Sequence, residues 1–212
     1  MRWRLVKLHW HFWRESYRRR LLEVVFWRKH KHAWRAGYGA SGAGILEYGF
    51  ECAVRLAELL GLGLVLTIAD GLFAGKRYRS LSASESAFAK TYFTEDELAT
   101  VLIDQGAKWT AGKLRIAFVA GFLIKTHGRF DRRLLIHELV HVRQFRRWGW
   151  AYAAKALMAQ WTGDGYSVPS QFAFSGKSYR DGLARPTFHP ALNAEQEARR
   201  LEEWVVGPSP WS

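Results

Sequence analysis

Cysteine is nearly absent from this sequence: Cys52 stands alone among 212 residues. One thiol excludes an internal disulfide framework and a cysteine-rich structural metal site, and it suits a reducing compartment. Long apolar runs are missing too. The longest nearly uncharged stretch, Leu59 to Gly75, is broken by Asp70 and contains Gly61, Gly63 and Gly71. It is shorter than a typical membrane span and reads as buried structure. The basic start is not followed by an apolar core of the length a cleavable export signal needs, so a cytoplasmic location is expected. No internal repeat, glycine-rich phosphate loop or Ser/His/Asp arrangement stands out.

Acids are also scarce, 19 against 32 basic residues, for a net charge of +13. The excess is uneven. Residues 1–36 hold eleven Lys and Arg against Glu15 and Glu23. Arg4, Lys7, His11, Arg14 and Arg18 recur at spacings of three and four, beside an apolar stripe of Leu5, Leu8 and Phe12. That pattern predicts a basic amphipathic helix, continued by Leu21, Leu22, Val25 and Phe26. Two roles fit it. One is contact with an anionic surface, either a membrane or nucleic acid phosphates. The other is an arm that packs its tryptophans on the rest of the chain and leaves its arginines in water.

What is present, and most informative, is the run His137-Glu138-Leu139-Val140-His141. Residues four apart share a helix face, so both imidazoles point the same way and can grip one metal ion. Glu138, one step round, is placed to act on water; this is the zinc metallopeptidase pattern. Leu134, Leu135, Leu139, Val140, Val142 and Phe145 predict a buried helix, Asp131 its N-cap and Gly149 its stop. A buried helix with His, Glu and His must satisfy them somehow.

A catalytic zinc takes three protein ligands. Downstream, Asp164, Asp181, His189, Glu195, Glu197, Glu202 and Glu203 are available. Glu195 is the best candidate, in the first turn of a helix capped by Asn193, with Gln196 three residues on and Pro190 just upstream. Glu197 is the runner-up, on another face. Most of Glu197, Glu202 and Glu203 are expected to be solvated surface charges. A further donor to the transition state could come from His127, Tyr166, Tyr179 or His189.

Three stretches make residues from about 77 to 206 resemble the zinc metallopeptidase domain of contractile injection systems and Vgr-related bacterial proteins, the eCIS core domain. They are Tyr78 to Lys90, the His-Glu-Leu-Val-His-Val-Arg-Gln helix, and Glu195-Gln196-Glu197-Ala198. The resemblance implies a Glu-zincin site binding Zn2+ through His137, His141 and Glu195, with Glu138 as the general base. It implies a peptide or protein substrate, a place in a secretion or injection apparatus, and export by that apparatus. In zincin folds, a sheet edge near the metal receives an extended substrate. Where relatives often carry an acid four residues after the ligand Glu to orient a ligand His, Arg199 stands here, so that orienting partner is unassigned.

The expected fold is α+β and zincin-like. It is mainly helical, with a small antiparallel or mixed sheet before the motif helix and a basic helical N-terminal extension. Gly37 to Gly44 reads as a flexible linker, dividing residues 1–44 from a domain of residues 45–206, with 207–212 as a tail. A helix fits Ile45 to Leu60, with Phe50, Ala53, Leu56, Ala57 and Leu60 on one face, and Glu47, Glu51 and Glu58 on the other. Glu51 can pair with Arg55. Ser82 and Glu85 form a capping box for a helix to Tyr92. Strands are expected at 100–103, 113–119 and 122–125, with a turn or bulge at Gly121. A helix is expected from about Ala151 to Trp161, then a loop-rich stretch from Thr162 to Pro190 that can form a lid or cleft wall. Besides a zinc peptidase, two other classes remain open: a catalytically inactive zincin-fold interaction module, and a basic protein that binds membranes or nucleic acid.

Overall fold

The structure is a computed structural model that describes residues 2–25, 42–65, 68, 78–107, 111, 117–127, 130–153, 156–157 and 194–207. Its elements in chain order are α1 (Arg2–Val25), α2 (Gly42–Leu59), β1 (Tyr78–Arg79), α3 (Ala83–Ala89), α4 (Glu95–Ala99), β2 (Leu102–Asp104), β3 (Phe118–Ala120), β4 (Leu123–Lys125), α5 (Arg132–Trp148) and α6 (Ala194–Val206). The class is α+β, as expected. Calls on Gly37 to Ser41, on most of 113–117, on Thr162 to Pro190 and on the Asn193 cap lie outside the described residues.

Local chemistry sets most boundaries. Ser82 caps α3 through a reciprocal box with Glu85, as predicted. An equivalent box, Thr94 with Glu97, starts the short α4, which the strand reading passed over. Because α4 is capped by Thr100, the following strand is displaced to Leu102–Asp104. The helix α2 begins at Gly42, so the last three residues of the expected linker are helical instead. Tertiary packing beside α1 outweighs the weak helix propensity of its glycines.

The sheet is mixed, in the order β1-β2-β4-β3. β2 and β4 run parallel, pairing Ile103 with Ile124, while β1 and β3 flank them antiparallel. Gly121 and Phe122 form the two-residue turn between β3 and β4, with Ala120 opposite Leu123. Gly121 has φ +71°, the left-handed region that favours glycine, and a Cβ there would overlap the ring of His9.

The core joins this sheet to α5. Ile103, Leu123, Ile124, Leu135, Ile136, Leu139 and Phe145 are buried together, and Leu5 of α1 is buried with them. The α1 stripe is the one read from the sequence: Leu5, Leu8 and Phe12 pack inward, Phe12 against Phe122 and Phe145. Trp3 and Trp10 do not follow the docking-arm reading, being 76% and 50% exposed, while Trp27 and Trp34 lie outside the described residues. Trp13 is half-buried and donates from Nε1 to the Glu58 carbonyl at 3.1 Å.

The faces of α2 also depart from expectation. Phe50, Leu56 and Leu60 are exposed, whereas Glu58 is buried. Its Oε2 accepts from the Trp150 backbone N–H at 3.1 Å, just past the end of α5. A new helical turn begins here, with the Ala153 N–H bonded to the Trp150 carbonyl, and the first N–H groups of such a turn need an outside acceptor, which Glu58 provides. Gly149, φ +63°, has no side chain to block the approach of Glu58. Among the described residues, no helix is long and apolar enough to cross a membrane.

Candidate metal centre

The packing of α5 on α6 is the most extensive between any two described elements. It brings together residues more than fifty positions apart. Asp131 Oδ1 accepts from the Leu134 N–H at 3.0 Å, and Gly149 ends the helix, so both predicted ends of α5 hold. Between them, Leu135, Ile136, Leu139, Val140, Val142 and Phe145 are buried. Their burial fixes the rotation of the helix and aims His137 and His141 at α6.

His137, His141 and Glu195 then meet. His137 Nε2 lies 3.2 Å from His141 Nε2 and 3.3 Å from Glu195 Oε2, and His141 Nε2 lies 3.4 Å from the same oxygen. The three atoms form a nearly equilateral triangle. Adjacent donors of a tetrahedral ion with bonds of about 2.0–2.1 Å sit about 3.3 Å apart. The group could hold a metal ion. Both predicted histidines and the preferred carboxylate are therefore convergent. The runner-up Glu197 is elsewhere, accepting from Gln144 Nε2 at 3.1 Å.

The outer ring nitrogens settle which nitrogen faces inward. His137 Nδ1 donates to Glu202 Oε2 at 3.0 Å, and His141 Nδ1 donates to Gln144 Oε1 at 2.8 Å. With a proton held on each Nδ1, Nε2 is the nitrogen that faces the centre, and in the neutral ring it offers a lone pair there. Of Glu197, Glu202 and Glu203, most of which are expected to be solvated, Glu202 is buried. Arg133 reinforces it from Nη1 at 2.7 Å, while its Nη2 donates to the Gly207 carbonyl at 2.8 Å. Arg199 instead pairs with Glu203 at 2.6 Å. The acid that orients the ring of His137 is thus Glu202, two turns beyond Glu195 on the same helix face, not the residue at position 199. The seven-residue spacing was a usable signal.

Gln144 is the other residue the sequence reading passed over, although it lies three residues after His141. It is fully buried, and its Nε2 donates to the Ala194 carbonyl at 2.9 Å, one residue before Glu195. A single amide therefore orients a histidine and seats the start of α6.

The electrostatics follow from burial among these partners. Burial works against a charge on His137, but hydrogen bonds to Glu195 and Glu202 prevail and raise its pKa to about 10. Burial likewise opposes ionisation of Glu195, yet hydrogen bonds with His137 and His141 hold its carboxyl well below the usual range. In a metal-free chain a proton on His137 meets the same need for positive charge that a cation would.

Glu138 is different. Burial pushes its carboxyl up, opposed by the neighbouring imidazoles. Its Oε2 is buried with no hydrogen-bond partner among the described residues. A buried oxygen of that kind is costly unless it has a task. Tyr152 packs its ring 5.9 Å from that of His141, and its hydroxyl donates to the Val119 carbonyl on β3. Of the suggested further donors, His127 is exposed and bridges to Gly106, while Tyr166, Tyr179 and His189 lie outside the described residues. In comparisons with known proteins, no family model, curated protein or solved structure matches the chain.

Proposed function

We propose that this chain is a zinc-dependent peptidase with a zincin-like fold, of the Glu-zincin type. The observation that carries the reading is the triangle of His137 Nε2, His141 Nε2 and Glu195 Oε2, with sides of 3.2, 3.3 and 3.4 Å. These atoms would hold the ion. When bound, zinc supplies Lewis acidity, which acidifies water and polarises a carbonyl.

Glu138 does the proton work. Its unpartnered buried oxygen and raised pKa suit a base that takes a proton from an attacking water and passes it to the leaving nitrogen. Glu202 and Gln144 hold the two rings so that both Nδ1 protons stay outward. The sheet lies against α5 with β3 at its edge, where an extended peptide can add as a further strand. The resemblance of residues 77–206 to the eCIS core domain suggests a place in a contractile injection apparatus. With Glu202 in the orienting role, Arg199 does not count against an active site.

The test pairs elemental analysis with hydrolysis of a peptide library. Wild-type protein is expected to bind zinc and cleave. Glu138→Gln should keep the metal and lose about a thousandfold in rate, whereas His137→Ala should lose the metal. A chain that binds no zinc, or a fully active Glu138→Gln, defeats the assignment.

A further inference from the structure

The outward face of α1 has no part in the metal centre. With about 100° per residue, Trp3, Lys7, Trp10, Arg14 and Leu21 fall within a sector of about 60°. Leu5, His9, Phe12 and Ser16, which pack inward, lie about 160° away. Trp3, Lys7, Trp10, Arg14 and Leu21 are all exposed, and Trp10 stacks on Trp13 with centroids 5.5 Å apart. No acid of α1 falls in that sector. Glu15 lies to one side and pairs with His11 at 3.0 Å. By the same spacing Arg18 lies beside the sector, about 20° beyond its edge.

Two large exposed tryptophans are unusual on a helix whose other face is already docked. We propose that this face of α1 docks on an anionic lipid bilayer, lying parallel to it. Tryptophan favours the headgroup region, where its ring is half in hydrocarbon and its N–H finds water. The interleaved Lys7 and Arg14 meet lipid phosphates and carboxylates.

Charge alone would also suit nucleic acid, but the composition of the face favours lipid. Of the five side chains in the sector three are apolar or aromatic, Trp3, Trp10 and Leu21, and only Lys7 and Arg14 carry charge, a mixture that suits a headgroup boundary better than a row of phosphates. The attachment is peripheral, consistent with the lack of a membrane-crossing helix among the described residues. It does not rest on the peptidase reading.

The experiment is co-sedimentation of the full chain with vesicles of phosphatidylcholine alone, or with about 30 mol% phosphatidylserine. Binding is expected to the anionic vesicles only and to weaken in about 0.5 M NaCl. Trp3→Ser with Trp10→Ser should lower the partition coefficient about tenfold, and Lys7→Glu with Arg14→Glu on the order of a hundredfold. Both pairs are exposed, so circular dichroism and zinc content should be unchanged, and Glu138→Gln should bind vesicles like wild type. The proposal is overturned by equal binding to neutral vesicles, by variants that bind like wild type, or by an oligonucleotide duplex that displaces the chain from vesicles.

Discussion

Glu202 accepts the Nδ1 proton of His137 at 3.0 Å, from a position seven residues beyond the carboxylate that His137 faces with its other nitrogen. Two acids on one face of α6 thus hold the two sides of a single imidazole. One faces the candidate metal position and the other fixes the ring from behind.

The first prediction concerns Glu202. Glu202→Gln should weaken zinc affinity about tenfold, and Glu202→Ala up to about a hundredfold, because the ring loses its fixed tautomer. Arg199→Ala should cost less than either Glu202 change, since Arg199 bonds Glu203 at 2.6 Å and reaches Glu202 only at 3.6 Å, while Arg133 still holds Glu202 at 2.7 Å. Competition with a chromophoric chelator gives the three constants. Equal losses at 199 and 202 would contradict the assignment.

Metal uptake should release a proton. His137 has its pKa raised to about 10 in the metal-free chain, so at neutral pH it is charged and must deprotonate to bind. Calorimetry in buffers of different ionisation enthalpy should show about one proton released near pH 7, and affinity should rise about tenfold per pH unit from 6 to 8. The same shift has a stability sign. A raised histidine pKa stabilises the metal-free fold fully below its ordinary 6.5, and that contribution fades as pH climbs toward about 10. Metal-loaded protein should lack this decline.

Gln144→Ala removes two functions at once. The buried Ala194 carbonyl loses a donor, which should cost about 1–3 kcal/mol of stability without metal. His141 also loses its acceptor, so the stabilisation gained on adding zinc should shrink. Thermal melts with and without zinc separate the two effects. Gln144→Glu, which keeps an acceptor for His141 but not the donor, should restore part of the second and little of the first.

The docking of α1 is testable through its inner face. Leu5→Ala should destabilise the chain by about 2–5 kcal/mol in urea unfolding, the usual range for a buried leucine. Gly121→Ala should also destabilise, because φ +71° disfavours a side chain and His9 occupies the space. No change in either variant would mean that α1 does not pack where it is described.

Short-range chemistry was legible along the chain. Asp131, Ser82 and Gly121 acted on neighbours within a few residues, and the spacing of Leu5, Leu8 and Phe12 gave the docked stripe of α1. The pairing of His137 with His141 needed only helix geometry. Thr94 with Glu97 carried the same capping signal as Ser82 with Glu85, so α4 could have been read.

The sequence by itself determined the motif helix, its two ends, the turn at Gly121 and the residue types that would converge. Those are local effects, set by backbone preference and side-chain reach over one or two turns. Only the tertiary structure decided that Glu202 faces His137, that Gln144 ties His141 to Ala194, and that Glu58 is buried while Phe50 and Leu60 are not. Which face of a helix turns inward depends on what packs against it. A charged side chain goes inside when a distant donor, such as the N–H of Trp150 or the ring of His137, is there to receive it.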